Sequence, residues 1–141
     1  MIKPWYNKIN KQKPIVRFIY KNEPLTKSNQ TFVGRGIVYI PKKYKDYEAG
    51  LKKAAKAAMK AAKKKADKQL VVMEVWYYVG SKRRKDLPNL PKTTTDALNE
   101  VLYEDDFQIH DMIIHRRLDR DDPRVEVTLW RVQDNSWQTK G

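Results

Sequence analysis

Residues 70–79 (LVVMEVWYYV) constrain this chain more than any other feature. Their length and their density of Val, Trp and Tyr predict a strand, because branched and aromatic side chains suit a packed, pleated surface. Patterns of a longer period flank it. Pro41 precedes a helical segment over residues 43–68, whose apolar stripe is Tyr47, Leu51, Ala54, Ala58 and Ala62. Lys52, Lys56, Lys60 and Lys64 recur at four-residue spacing on a different face, either a solvated surface or a row laid along phosphates. A second helix is expected over residues 91–102, with Leu90, Thr94, Ala97, Leu98 and Val101 inward and Lys92, Asp96 and Glu100 on another face. Further strands are expected over 15–20 and, irregularly, over 31–40, where Gly34 and Gly36 suggest a bend. Residues 107–116 and 125–132 read as the last two strands, the first with Phe107, Ile109 and Ile113 on one side. They are expected to pair as a hairpin across the polar turn 118–123. The order β, β, α, β, α, β, β predicts an α+β fold, a mixed β-sheet with two helices packed on it.

The chain's 141 residues suit one domain over 14–133, preceded by a basic arm (1–13) and followed by a polar tail (134–141). Mean hydropathy is −0.82, and no run of 18 apolar residues exists, so a transmembrane helix is excluded. Residues 1–14 lack the apolar stretch of a secretory signal, and a cytoplasmic location is expected. There is no cysteine and there are only two histidines, which excludes disulfides and cysteine- or histidine-built zinc sites. Any metal has to be a hard cation held by carboxylates. His110 and His115 read as ordinary strand residues, Trp76 and Trp130 as core, and Trp5 and Trp137 as flanking the domain. Thirty Lys and Arg against seventeen Asp and Glu give a net charge of +13, which points to a polyanionic partner and counterion release on binding.

Within this basic chain the acids are local. Lys82, Arg83, Arg84 and Lys85 follow the end of the strongest strand and run directly into Asp86. Asp105 and Asp106 stand before another strand. Brought together, the two places would collect carboxylates inside a positive rim, which suits phosphodiester hydrolysis: the rim holds the backbone and the carboxylates hold Mg²⁺. A nearby lysine could neutralise charge developing on the phosphate. The plainer alternative is that Asp-Asp serves an Asx-turn and that Asp86 pairs with Arg83 or Lys85.

Residues 82–109 (KRRKDLPNLPKTTTDALNEVLYEDDFQI) resemble the RusA family of Holliday-junction resolvases. The family pattern is a basic run, D-x-D-N-x-x-K, D-A-L, then D-D-x-Q-[IV] opening a strand. Here Asp86, Asn89, Lys92, Asp96-Ala97-Leu98, Asp105-Asp106 and Gln108-Ile109 fall at matching or nearly matching places. A weaker likeness extends to the early turn from Pro24 to Asn29. The resemblance implies a homodimeric endodeoxyribonuclease of bacterial or phage type, without a small-molecule cofactor, that nicks four-way DNA junctions in pairs using Mg²⁺ or Mn²⁺. Asp86, Asp106 and Lys92 would be catalytic, and Asp86, Asp105 and Asp106 would bind metal. Lys82, Arg83, Arg84, Lys85, Lys52, Lys56 and Lys60 would hold DNA. One position departs. The second aspartate of D-x-D-N is Pro88, which removes a ligand and fixes the backbone. Three consequences stay open: a site built from Asp86, Asp105 and Asp106, compensation by Asp96 or Glu104, or junction binding without strong cleavage. A general basic nucleic-acid binder is the remaining alternative.

Overall fold

The computed structural model describes residues 12–25, 32–34, 37–39, 42–81 and 89–132. Its elements run β1 (Val16–Tyr20), β2 (Phe32–Gly34), β3 (Ile37–Tyr39), α1 (Lys42–Ala61), β4 (Val71–Val79), α2 (Asn89–Leu98), a 3₁₀ turn (Asp106–Gln108), β5 (Ile109–Leu118) and β6 (Arg124–Arg131). The expected α+β class with a mixed sheet and two helices is present. The main sheet has the order β1-β6-β4-β5; β6 is antiparallel to both neighbours, and β4 and β5 are parallel. β2 and β3 form a separate antiparallel ribbon.

β4 is buried at every position except the half-buried Trp76 and Tyr78. A strand with so little exposed surface belongs in the middle of a sheet, with both edges paired. This need overturns the expected hairpin: β5 and β6 do not pair, because β4 lies between them. Residues 119–123 instead cross the C-terminal end of β4, over two strand spacings or about 10 Å. The Asp119 N–H donates to the Val79 carbonyl at 2.8 Å, which pins the start of the crossing. Pro123 then packs so closely that a Cβ on Gly80 would lie 3.0 Å from its ring.

α1 buries Tyr44, Tyr47, Leu51, Ala55 and Met59 against the sheet. The expected stripe is therefore rotated: Ala54 and Ala58 only flank the core, and Ala62 is exposed beyond the helix. Larger Tyr44 and Met59 remove more apolar area from water than those alanines can, and so decide which face turns inward. The helix also stops at Ala61, well before residue 68. Lys63 adopts φ 57°, and the Lys63 and Lys64 N–H groups donate to the carbonyls of Lys60 (3.0 Å) and Met59 (2.9 Å). That is a Schellman ending, formed here without the usual glycine.

α2 starts at Asn89 and ends at Leu98, earlier than expected at both ends. Leu90, Thr94, Ala97, Leu98 and Val101 are all buried, as their spacing requires. Thr94 donates to the Leu90 carbonyl (2.9 Å), so the Tyr77 hydroxyl donates to Thr94 (2.7 Å), fixing α2 over β4.

Because β5 begins only at Ile109, Phe107 sits in the 3₁₀ turn and is 77% exposed instead of facing inward. A bulge opposite the Val71–Val72 step then shifts the strand by one residue. Ile109 packs into the main core while Ile113 packs against Val72 and Trp130 on the opposite face. Among the described residues that second face carries no helix. Trp130 is buried there, but Trp76 is half-exposed, stacked 3.6 Å from His115, and so is not core. His115 Nε2 lies 2.7 Å from Glu74, and His110 Nδ1 lies 2.6 Å from Asp111. Trp5 and Trp137 fall outside the described residues. No described helix is long and apolar enough to cross a membrane.

Candidate active site

The acidic turn is held by one side chain. Gln108 is buried, and its amide is fully used. Its Oε1 accepts the backbone N–H groups of Glu104 and Asp105, both at 2.9 Å. Its Nε2 donates to the carbonyls of Asp67 (2.7 Å) and Gln69 (2.8 Å), in the segment that leads into β4. Asp105 caps the 3₁₀ turn reciprocally, its carboxylate accepting the Phe107 N–H at 3.2 Å. A turn of five polar and aromatic residues is thereby fastened to the rigid start of the central strand.

Tyr103 lies beneath this turn, fully buried, its hydroxyl donating to the Thr95 carbonyl at 2.8 Å. Burial raises its pKa first, and the nearby charges of Asp106, Asp96 and Asp105 raise it further. Asp106 is raised above the ordinary aspartate range. The first cause is a hydrogen bond with the Asp105 carboxyl, followed by burial and by the charges of Asp105 and Asp96; Lys92 opposes them. A carboxyl raised by an adjacent carboxyl is a poised arrangement, since a bound cation opposes the repulsion that raises it. Lys92 and Asp96 face each other along α2 at 3.7 Å, with the lysine mostly exposed.

The parallel pairing of β4 and β5 has a consequence for the motif. Asp105 and Asp106 precede β5, which pairs in parallel with β4, so the acidic turn sits at the N-terminal end of the central strand. α2 returns along the sheet and brings Lys92 and Asp96 within electrostatic reach of Asp106. Asp86 itself, Lys82, Arg83, Arg84, Lys85 and Pro88 lie outside the described residues. Lys52 is half-buried, and Lys56 and Lys60 are exposed on α1.

Asp105 and Asp106 supply adjacent hard oxygen donors, which fit a divalent cation of the Mg²⁺ type. Among the described residues, which do not include Asp86, no group of three metal-ligating side chains occurs. Sequence reasoning did not assign the roles of Gln108 and Tyr103. The first was visible as a fixed letter of the D-D-x-Q pattern, without its four partners; the second carried no signal beyond an aromatic after an apolar pair.

The family model described as "Endodeoxyribonuclease RusA" matches residues 21–130, which include the acidic turn, both helices, the β2–β3 ribbon and every strand of the main sheet but β1 and the last residue of β6. No curated protein matches the chain.

Proposed function

The chain belongs to the RusA endodeoxyribonuclease family, and from that premise we propose that it resolves four-way DNA junctions by cation-dependent paired nicking. The observation that carries this is the crowded pair Asp105–Asp106, clamped by Gln108 and faced by Lys92 inside a chain of net charge +13. In the hydrolysis a water oxygen bonds to phosphorus, one P–O ester bond breaks, and the departing oxygen takes up a proton. Asp106 and Asp105, with Asp86, would hold Mg²⁺ or Mn²⁺, which when bound polarises the phosphate and lowers the pKa of its water. Lys92 offsets the negative charge that grows on the phosphate and leaving oxygen. Gln108 fastens the backbone of the turn that carries both carboxylates to the start of β4. Basic residues 82–85 and Lys52, Lys56 and Lys60 would grip the backbone.

Paired cuts call for two sites related by symmetry, and a C₂ homodimer matches strands of opposite polarity. The outer edge of β5 is unpaired among the described residues and exposes Ile114 and Leu118, which suits such an association. A second reading, junction binding without strong cleavage, rests on Pro88 standing where the family pattern has an aspartate.

A nicking assay separates these readings. Paired, EDTA-sensitive nicks in a synthetic mobile four-way junction, absent from the matching linear duplex, are the result expected of a resolvase. Tight junction binding that survives EDTA without nicks supports the second reading. Equal affinity for junction and duplex removes both in favour of a general basic binder.

A further inference from the structure

Beside the acidic turn lies an open cleft of about 640 Å³ that no part of the proposed chemistry uses. Its wall includes Lys13, Lys64, Lys65, Lys68 and Arg131, with Asp67 as its one carboxylate. That carboxylate is already neutralised: Asp67 Oδ2 accepts from Arg131 Nη2 at 2.6 Å and Nε at 3.2 Å, and its Oδ1 caps the Gln69 N–H at 2.7 Å. Lys64 donates to the Ile15 carbonyl at 2.9 Å, tying the two walls together. Lys68 stands 4.0 Å from Glu104 and is mostly exposed. Lys13 and Lys65 are exposed and have no ion pair among the described residues.

The backbone is arranged to produce this concentration of charge. The Schellman ending of α1 puts Lys63 in the left-handed region, a conformation that disfavours any residue with a Cβ, and turns Lys64 and Lys65 toward the cleft. A shallower hollow lined by Lys56, Lys60, Lys64 and Lys65, with Glu100 as its one carboxylate, continues the basic surface onto α1. The floor of the cleft is the segment 67–69, whose carbonyls hold Gln108 and hence the acidic turn. A group bound in the cleft is therefore in register with Asp105 and Asp106 through one rigid segment.

We propose that this cleft binds the phosphodiester backbone of a DNA strand next to the acidic turn, with Lys13, Lys65 and Lys68 as its principal phosphate ligands. Clustered cations with little fixed counter-charge attract a polyanion and release its condensed counterions. The proposal rests on the reading of the protein as a DNA-junction nuclease, and adds to it where one arm of the substrate lies.

The test compares two charge-matched triple variants of the full chain, K13Q/K65Q/K68Q in the cleft and K42Q/K43Q/K45Q in the first turn of α1. The second set lies at the far end of a 20-residue helix, about 30 Å away. Binding to a labelled four-way junction is measured in EDTA across a salt series, and thermal melting checks that both variants fold. The cleft variant is expected to lose about 10- to 100-fold in affinity, and its log–log salt slope to fall by about 2 to 3, one for each phosphate contact removed. The control is expected to keep a slope close to that of the unmodified protein. Equal losses in both variants overturn the proposal, since net charge alone would then explain binding. So does an unchanged slope in the cleft variant. A protein that shows the cleft-specific loss but no preference for junction over linear duplex keeps the cleft and removes the junction reading. A cleft-specific loss with normal nicking at saturating protein separates the cleft from the chemistry.

Discussion

The chain carries two acidic turns of similar composition, Glu104-Asp105-Asp106 and Asp119-Arg120-Asp121-Asp122, and their electrostatics are opposite. In the second turn, Asp119 accepts from the Asp121 and Asp122 N–H groups at 3.3 and 3.2 Å and from Arg124 Nη1 at 2.9 Å. Arg124 also pairs with Glu126 at 2.7 Å and lies 3.7 Å over the Tyr78 ring, while Lys21 pairs with Asp122 at 2.6 Å. Hydrogen bonding to Arg124 holds the Asp119 carboxyl below its ordinary range. In the first turn, Asp105 pushes Asp106 above it. Both turns satisfy the local demands of Asp in a bend, but only in the first is a carboxyl raised by its acidic neighbour. Acids that build the crossing are paired closely with cations of the same fold, whereas Asp106 is raised by its acidic neighbours more than Lys92 lowers it.

That contrast can be broken in several ways. After the loss of nicking expected of Asp106→Asn, the largest effect is expected from Lys92→Ala, which should slow junction nicking by about 10²- to 10³-fold, or about 3–4 kcal/mol of transition-state stabilisation. Single-turnover kinetics at saturating protein check it, and the thermal midpoint should hardly move because Lys92 is mostly exposed. Gln108→Leu comes next. It removes four hydrogen bonds, leaving the Asp105 N–H and the Gln69 carbonyl without that partner while Glu104 N–H keeps its longer bond to the Asp67 carbonyl, and should cost about 3 kcal/mol in urea denaturation. It should also impair nicking in the fraction that remains folded.

A smaller shift is expected from Mg²⁺ alone. At a hundredfold excess over its dissociation constant the ion should stabilise the protein by about 2.7 kcal/mol. That gain should disappear in Asp106→Asn and persist in Asp119→Asn, as read by melting with and without the ion. Without metal, Asp106→Asn should melt no lower than the unmodified protein, since it removes a repulsion.

The smallest effect concerns pH. A lowered carboxyl such as Asp119 stabilises the fold above the ordinary aspartate value of 3.8, and that contribution is lost as pH falls through the lower folded value. A raised carboxyl such as Asp106 acts oppositely, so stability declines as pH rises from 3.8 through its folded value. Acid titrations of stability should therefore flatten below pH 3.8 in Asp119→Asn and flatten above it in Asp106→Asn.

The same two turns show how much the sequence disclosed. Residues 70–79 announced the central strand because β4 is a long run of branched and aromatic residues, and the inward set of α2 followed from its spacing. The Asp-Asp pair and its following Gln108 stood out as a pattern, yet the reason for the glutamine lay in carbonyls about forty positions upstream. The expected hairpin failed for a related reason. A polar turn between two strands says that the chain changes direction, but the distance it crosses depends on what else needs that place in the sheet. β4 needed it more than the two late strands needed each other. The length of α1 was misjudged because Lys63 takes a conformation for which the run Lys63-Lys64-Lys65 gives no warning. The basic cleft was hidden with it, since lysines read as a continuing helix face turn out to line a bend.

The central claim is that the crowded acidic turn performs cleavage and the paired one only builds the fold. The most direct measurement is nicking of a mobile four-way junction with Mg²⁺ by the unmodified protein, Asp106→Asn and Asp122→Asn side by side. The account predicts paired nicks from the unmodified protein and from Asp122→Asn at similar rates, and none from Asp106→Asn despite intact junction binding. Undiminished nicking by Asp106→Asn, or its loss in Asp122→Asn alone, would contradict it.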